Sequence, residues 1–139
     1  MLSATFPQNR TFSTHRPYRG GMNKALRLAV SISLLWNIYL VLGVVNNQSY
    51  ALTRAAGGHY ESFPTGIRIA YVITLMILLY QSLVILGNHH APQWVLNAML
   101  VMGVLSVIVN AISRSANERW NAIPAAVIAY AVYLRAKRN

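Results

Sequence analysis

Residues 28–53 read LAVSISLLWNIYLVLGVVNNQSYALT, a run of 26 residues without Asp, Glu, Lys, Arg or His. Similar runs follow at residues 69–88, 91–113 and 120–134, with 20, 23 and 15 residues. Because about 20 apolar residues of helix cross the hydrocarbon core of a bilayer, this pattern is typical of a small polytopic membrane protein. The sequence therefore predicts an all-α fold with four transmembrane helices.

The composition agrees with a membrane protein. Only 10% of the residues are charged and the mean hydropathy is +0.40. So few charged residues could hardly cover the water-facing surface of a soluble domain. The net charge is +10, but the basic residues flank the apolar runs, where Lys and Arg reach lipid headgroups. The expected partners are the lipid bilayer and either another membrane protein or a second copy of the chain. No binding to nucleic acid is expected.

Local signals set the helix limits. We predict helices at about residues 23–46, 66–88, 92–113 and 116–137, packed as an antiparallel bundle, with a long outer loop at residues 46–65. The short turn after the second helix predicts that helices two and three form a hairpin.

The fourth span is short, since its 15 residues rise only about 22 Å against a core of about 30 Å. Ser115 and Glu118 have the spacing of a capping box, which starts the helix at Ala116 and lengthens it. Pro124 then predicts a bend one turn earlier, because it removes a backbone hydrogen bond inside the helix.

Charge predicts the orientation. Eight Lys and Arg residues lie on the side of the two termini, against four on the other side together with both acids, Glu61 and Glu118. The positive-inside rule then places both termini in the cytoplasm, which suits a cell inner membrane, or an organellar inner membrane as the alternative. The count falls to five against four if translation starts at Met22.

Residues 1–22 are predicted to be a basic N-terminal tail ahead of the transmembrane domain at residues 23–139. The tail is rich in Ser and Thr and has no acid. This composition leaves a targeting segment and a translation start at Met22 as alternatives.

Small and polar residues form stripes on the predicted helices. Small residues let membrane helices approach closely, and amides hydrogen-bond between them. The predicted packing residues are Gly103, Ser106 and Asn110 on the third helix, and Ala122, Ala125, Ala126 and Ala129 on the fourth.

Three amides are the candidate ligand or pathway residues. At 1.5 Å per residue from the cytoplasmic end, Asn37 lies about 15 Å deep, Gln81 about 10 Å and Asn97 about 8 Å. We therefore expect them to form one cluster. Its function is either a polar pocket or pathway, or interhelical hydrogen bonds worth about 0.6 kcal/mol each.

The outer loop contains Arg54, His59 and Glu61, its only mixed-charge group with a titratable imidazole. Loops of this length are often functional, so a docking surface or lid is one interpretation, and a loop anchored by its aromatic residues is the other.

The uncharged runs lack the acidic and basic residues that most catalytic and ion-coupled sites need. The chain contains no Asp and no Cys, and no run contains an acid or a base. Ion-coupled transport and proton relays normally need such groups within the membrane. His89 and His90 are adjacent, so their side chains point to different sides, and no acid lies on that face to support a metal ion. We predict no catalytic residue, no metal site and no cofactor.

Residues 110–124, NAISRSANERWNAIP, resemble the junction before the last helix of small bacterial four-helix membrane proteins of uncharacterised function. This resemblance implies the same architecture and no catalytic residue.

Two functions remain open from the sequence. One is a non-enzymatic membrane protein that acts through helix–helix association, as an accessory subunit or an oligomer. The other is a small carrier or channel for a neutral or apolar solute, lined by the three amides.

Overall fold

The computed structural model describes residues 22–58 and 60–138, and every regular element in these ranges is helical. In chain order the elements are α1 (Lys24–Val45), α2 (Ser49–Leu52), a 3-10 turn (Ala56–Gly58), α3 (Thr65–Ile85), α4 (Gln93–Ala111), α5 (Ala116–Arg119) and α6 (Ala122–Ala136). The all-α prediction is therefore confirmed for the described residues. His59 and the predicted tail, except Met22, lie outside these ranges.

Three helices, α1, α3 and α4, are long and apolar enough to cross a membrane. They have 22, 21 and 19 residues, which correspond to about 33, 31 and 28 Å of helix. These lengths match a hydrocarbon core of about 30 Å. The described part of the chain thus has the features of an integral membrane protein.

The predicted capping box at the start of the fourth helix is wrong. The Ser115 hydroxyl makes no cap and instead donates to the backbone oxygen of Thr53 at 2.6 Å. The Glu118 carboxylate accepts from the backbone N–H of Gly57 at 3.0 Å. Both side chains thus bind the outer loop, about 60 positions earlier in the sequence.

The fourth predicted helix is also divided. Trp120 and Asn121 separate the single turn α5 from α6, which begins at Ala122. Pro124 is therefore the third residue of α6, where a backbone N–H has no partner within the helix. The interruption lies at Trp120 and Asn121, where the sequence predicts a bend, and both residues keep helical φ and ψ.

The long helices pack in an order that differs from the chain order. α1 and α6 contact each other, α3 packs against α1, and α4 packs against α6. α3 and α4 share almost no close contacts, although only residues 86–92 join them. The predicted hairpin is therefore wrong, and a cleft lies between α3 and α4 with α1 and α6 as its floor.

Hydrogen bonds explain where the connection between α3 and α4 lies. Arg27 of α1 donates to the backbone oxygen of Leu86 at 3.1 Å. Arg135 of α6 donates to the backbone oxygens of Asn88 and His89 at 3.2 and 3.1 Å. These bonds hold residues 86–92 over the ends of α1 and α6, so the connection does not form a tight turn. We call this region, with the start of α1 and the end of α6, the arginine end.

The opposite end, formed by residues 46–71 and 110–121, is called the loop end. Its loop is folded around a small apolar cluster of Val44, Ala51, Ala55 and Phe63, all buried. The backbone N–H of Phe63 donates to the Asn47 side chain at 2.7 Å. The predicted long loop thus has its own helical turns and its own core.

Candidate functional site in the cleft between α3 and α4

Four helices contribute to a cavity of about 100 Å³ at the base of the cleft. Its polar lining consists of Asn37 from α1, Thr74 and Gln81 from α3, and Ser106 from α4. The volume is enough for a few waters or for one side chain of moderate size. The cavity therefore places hydrogen-bonding groups among residues that otherwise face hydrocarbon.

Most of these polar groups are bonded within their own helix. The Asn37 Nδ2 donates to the backbone oxygen of Ser33 at 2.8 Å, and the Thr74 hydroxyl donates to that of Ala70 at 3.1 Å. Both bonds go back one helical turn, which is the usual partner for a short polar side chain in a helix. The two side chains are thereby held in fixed orientations at the cavity wall.

Gln81 differs from its neighbours. It is only 5% exposed, yet its side-chain amide makes no hydrogen bond with any described residue. No side-chain N or O atom of the described residues is both fully buried and without a partner, so the Gln81 amide stays open to the cavity. A hydrogen-bonding group placed in the cavity would therefore find an unpaired amide there.

A second cavity, of about 290 Å³, adjoins the first at the loop end. Asn37, Thr74, Leu78 and Ser106 line both cavities. The second cavity adds a set of polar residues from the loop end: Arg54, Tyr71, Asn110, Glu118 and Asn121. Polar lining thus extends from Gln81 to the loop end.

Asn121 connects α1 to the outer loop. It is 5% exposed, accepts from the Trp36 Nε1 at 3.1 Å and donates to the backbone oxygen of Arg54 at 2.9 Å. The Arg54 guanidinium lies 5.7 Å from the centre of the Trp36 ring, within the range of a cation–π interaction. These three residues close the loop end over the helices.

Glu118 is the buried acid of this end. It is 7% exposed and accepts from the Gly57 N–H and the Ser113 hydroxyl, and it forms no ion pair with a described residue. Gly57 has a φ of 80°, a conformation that favours glycine. The carboxylate therefore depends on neutral donors and on a specific loop conformation.

Two of the three predicted amides lie together and the third does not. Asn37 and Gln81 line the same cavity. Asn97 is exposed on α4 and accepts from the Gln93 Nε2 at 3.1 Å. The expected three-amide cluster is therefore wrong, because the neighbouring Leu96 and Met99 occupy the buried face of α4 instead.

The predicted packing residues mostly meet within the chain. Gly103 contacts Ala129, Ala125 is buried, and Ala122 is half-buried, whereas Ala126 is exposed. Ser106 and Asn110 line the cavities, and the Asn110 Nδ2 donates to the Ser106 backbone oxygen at 2.7 Å. The small residues thus serve the close contact between α4 and α6.

The predicted loop residues are separated. Arg54 belongs to the cluster with Trp36 and Asn121. Glu61 is exposed and forms no hydrogen bond or ion pair with a described residue, and His59 lies outside the described ranges. The structure therefore brings Arg54 into the site without Glu61.

Sequence reasoning missed Glu118, Asn121 and Trp36 as members of this site. The sequence predicts Glu118 as part of a helix cap and Asn121 as part of a continuous span. Their spacing of three residues, which puts side chains on one side of a helical turn, is the signal that could have joined them. No comparable spacing links Glu118 and Asn121 to their partners in the outer loop, Gly57 and Arg54.

In the described ranges, no group of three His, Cys, Asp or Glu residues is placed to hold a metal ion. His89 and His90 are exposed in the connection at the arginine end.

No family model matches the chain, and neither a curated protein nor a solved structure shows significant similarity to it.

Proposed function

We propose that the chain is a non-enzymatic, four-span protein of the cell inner membrane that works by association with another membrane protein. The observation that carries this proposal is the Gln81 amide, which lines the open cleft without a hydrogen bond to a described residue. An organellar inner membrane is the alternative location. The cleft, and not the small-residue stripes, is the surface we assign to the partner.

The packing of α6 supports a fourth span. α6 contacts both α1 and α4, which are long enough to cross the membrane. The junction before α6 keeps helical backbone angles, since φ and ψ are −64° and −23° at Trp120 and −69° and −14° at Asn121. Asn121 is buried there and bonded to Trp36 and Arg54, which ties the start of α6 to α1 and to the outer loop.

The charges at the two ends support cytoplasmic termini. Within the described residues the arginine end has five cations and no acid, whereas the loop end has four cations and both acids. The tail adds three further arginines next to the arginine end in sequence. An excess of Lys and Arg is typical of the cytoplasmic side.

The expected occupant of the cleft is a transmembrane helix whose polar side chain reaches Gln81. Such interhelical hydrogen bonds average about 0.6 kcal/mol and reach about 1.7 kcal/mol. One bond therefore orients the partner, and packing against the exposed apolar faces of α3 and α4 supplies the remaining affinity. The large apolar residues of α3 and α4 that line the cavity are Ile77, Leu78 and Met102.

The experiment compares Gln81→Leu with Asn97→Leu in the full chain. Both changes replace an amide by leucine, but only Gln81 lines the cavity. After extraction in mild detergent, we expect Gln81→Leu to lower the bound partner about 3- to 20-fold, with little change for Asn97→Leu. The bound protein is quantified by mass spectrometry.

Light scattering on the purified complex identifies the occupant. A mass equal to two copies of the chain with no other protein would replace the accessory role by an oligomer. Equal partner recovery from both leucine variants would contradict the assignment of the cleft.

A second candidate function is a carrier or channel for a neutral solute, because the two adjoining cavities form a polar lining towards the loop end. Ser106→Leu narrows the part that both cavities share, whereas Ala98→Leu lies on an exposed side of α4. The test measures uptake of neutral solutes into liposomes that contain the protein. Uptake that is lost in Ser106→Leu and kept in Ala98→Leu would favour the carrier. No uptake by the unmodified protein would exclude it.

A further inference from the structure

A third cavity lies at the arginine end, about one helical turn beyond the cavity at Gln81, with which it shares no lining residue. It has a volume of about 250 Å³ and lies between the start of α1, the end of α3 and the last turn of α6. Three arginines line it, Arg27, Arg135 and Arg138. Three cationic residues around one cavity suit an anionic ligand.

Two of these arginines are held in place by the protein. Arg27 uses one Nη for the Leu86 oxygen, and Arg135 donates to Asn88 and His89. A guanidinium has five N–H donors in a rigid fork, so donors remain on both side chains. Because their positions are already fixed, an anion would bind with a smaller loss of side-chain entropy.

The third arginine is free of such bonds. The Arg138 side chain makes no hydrogen bond or ion pair with a described residue. All five of its donors are available to a ligand. Arg138 therefore supplies the most direct test of the site, since its replacement removes no hydrogen bond or ion pair with a described residue.

No acidic side chain of the described residues lies at this end. Lys24 and Lys137 add to the three arginines, and both acids of the chain, Glu61 and Glu118, lie at the loop end. The 22 residues of α1 separate the two ends by about 33 Å, and salt in the water at each face screens exposed charges beyond about 8 Å. The acids therefore do not offset the cations of the cavity.

The apolar part of the lining favours a lipid over a soluble anion. Ile85, Leu86, Ala131 and Leu134 form the wall beside the arginines, at the end of helices that face hydrocarbon. A phospholipid can place its phosphate at the guanidinium groups and the first carbons of its acyl chains on this wall. Basic pockets between transmembrane helices are known to bind anionic headgroups.

We infer that this cavity binds the phosphodiester headgroup of an anionic phospholipid, with Arg27, Arg135 and Arg138 contacting the phosphate. Arg138 contributes through its free guanidinium, and the other two through groups that also hold the connection between α3 and α4. The site is independent of the partner proposed for the cleft.

Native mass spectrometry of the full chain, released from detergent with added lipid, tests this site. The probes are phosphatidylglycerol and phosphatidylcholine. We expect the unmodified chain to retain phosphatidylglycerol in preference, and Arg138→Gln to lower this retention about fivefold. Arg114→Gln is the matched control, because Arg114 is exposed at the loop end.

Several results would overturn the inference. They are equal retention of the two lipids, an equal loss for Arg114→Gln and Arg138→Gln, and full displacement of phosphatidylglycerol by an excess of inorganic phosphate. The last result would assign the cavity to a soluble anion. Selective retention that only Arg138→Gln lowers supports the lipid site.

Discussion

Gly103 of α4 and Ala129 of α6 are in direct contact: a methyl group added at Gly103 would lie 3.0 Å from the Cβ of Ala129 and 3.4 Å from its Cα. Such a separation leaves no room for a side chain between the two helices. Small residues at this contact thus join α4 to α6 within one chain. They leave the cleft between α3 and α4 as the open polar surface.

We expect Gly103→Leu to destabilise the protein. Overpacking typically costs about 1–3 kcal/mol, and the gain in helix propensity over glycine offsets about 0.8 kcal/mol of that cost. Gly66→Leu is the control, since nothing lies within 4 Å of a Cβ at Gly66. Thermal unfolding in detergent should show a lower midpoint for Gly103→Leu alone, and equal midpoints would refute this contact.

Asn121→Leu should loosen the loop end. The substitution removes the acceptor of the Trp36 Nε1 and the donor to the Arg54 oxygen, with an expected loss of about 1–3 kcal/mol. Asn117→Leu is the control, because Asn117 is exposed and its side chain makes no hydrogen bond with a described residue. Chemical unfolding in mixed micelles measures both. A loss of the same size for Asn117→Leu would be inconsistent with a specific role for Asn121.

The length and uncharged character of the runs were enough to predict the all-α membrane class. A helix that crosses a bilayer needs a long apolar run, and such a run is visible in a local stretch of sequence. The sequence does not indicate which helices contact each other, because apolar side chains face lipid as readily as protein. The separation of α3 from α4 therefore had no signal in the sequence.

The candidate site was predicted in part for the same reason. Asn37 and Gln81 are amides at similar depth, and depth follows from counting residues along a helix. Asn97 has a similar depth but points away from the cavity, and its direction depends on which face of α4 packs against α6. The bond between Glu118 and Gly57 joins residues 61 positions apart, which no local spacing indicates.

Glu118→Ala should open the turn at Ala56–Gly58. The change removes the acceptor of the Gly57 N–H, and a hydrogen bond to a charged group contributes about 1.5–3 kcal/mol. Hydrogen–deuterium exchange of the peptide containing this turn should accelerate about 10- to 100-fold. Glu118→Gln keeps an acceptor and should show a smaller change, and Glu61→Ala none. An unchanged exchange rate in Glu118→Ala would exclude this role.

The absence of cysteine allows the proposed topology to be mapped with single introduced thiols. Ser62 at the loop end and Lys137 after α6 are both exposed in the structure. With four spans and cytoplasmic termini, a membrane-impermeant maleimide should label Ser62→Cys in intact cells and Lys137→Cys only after permeabilisation. If α6 does not cross, the end of the chain stays on the side of the loop, and both variants are labelled in intact cells. The unmodified chain, which has no thiol, controls for background in each sample.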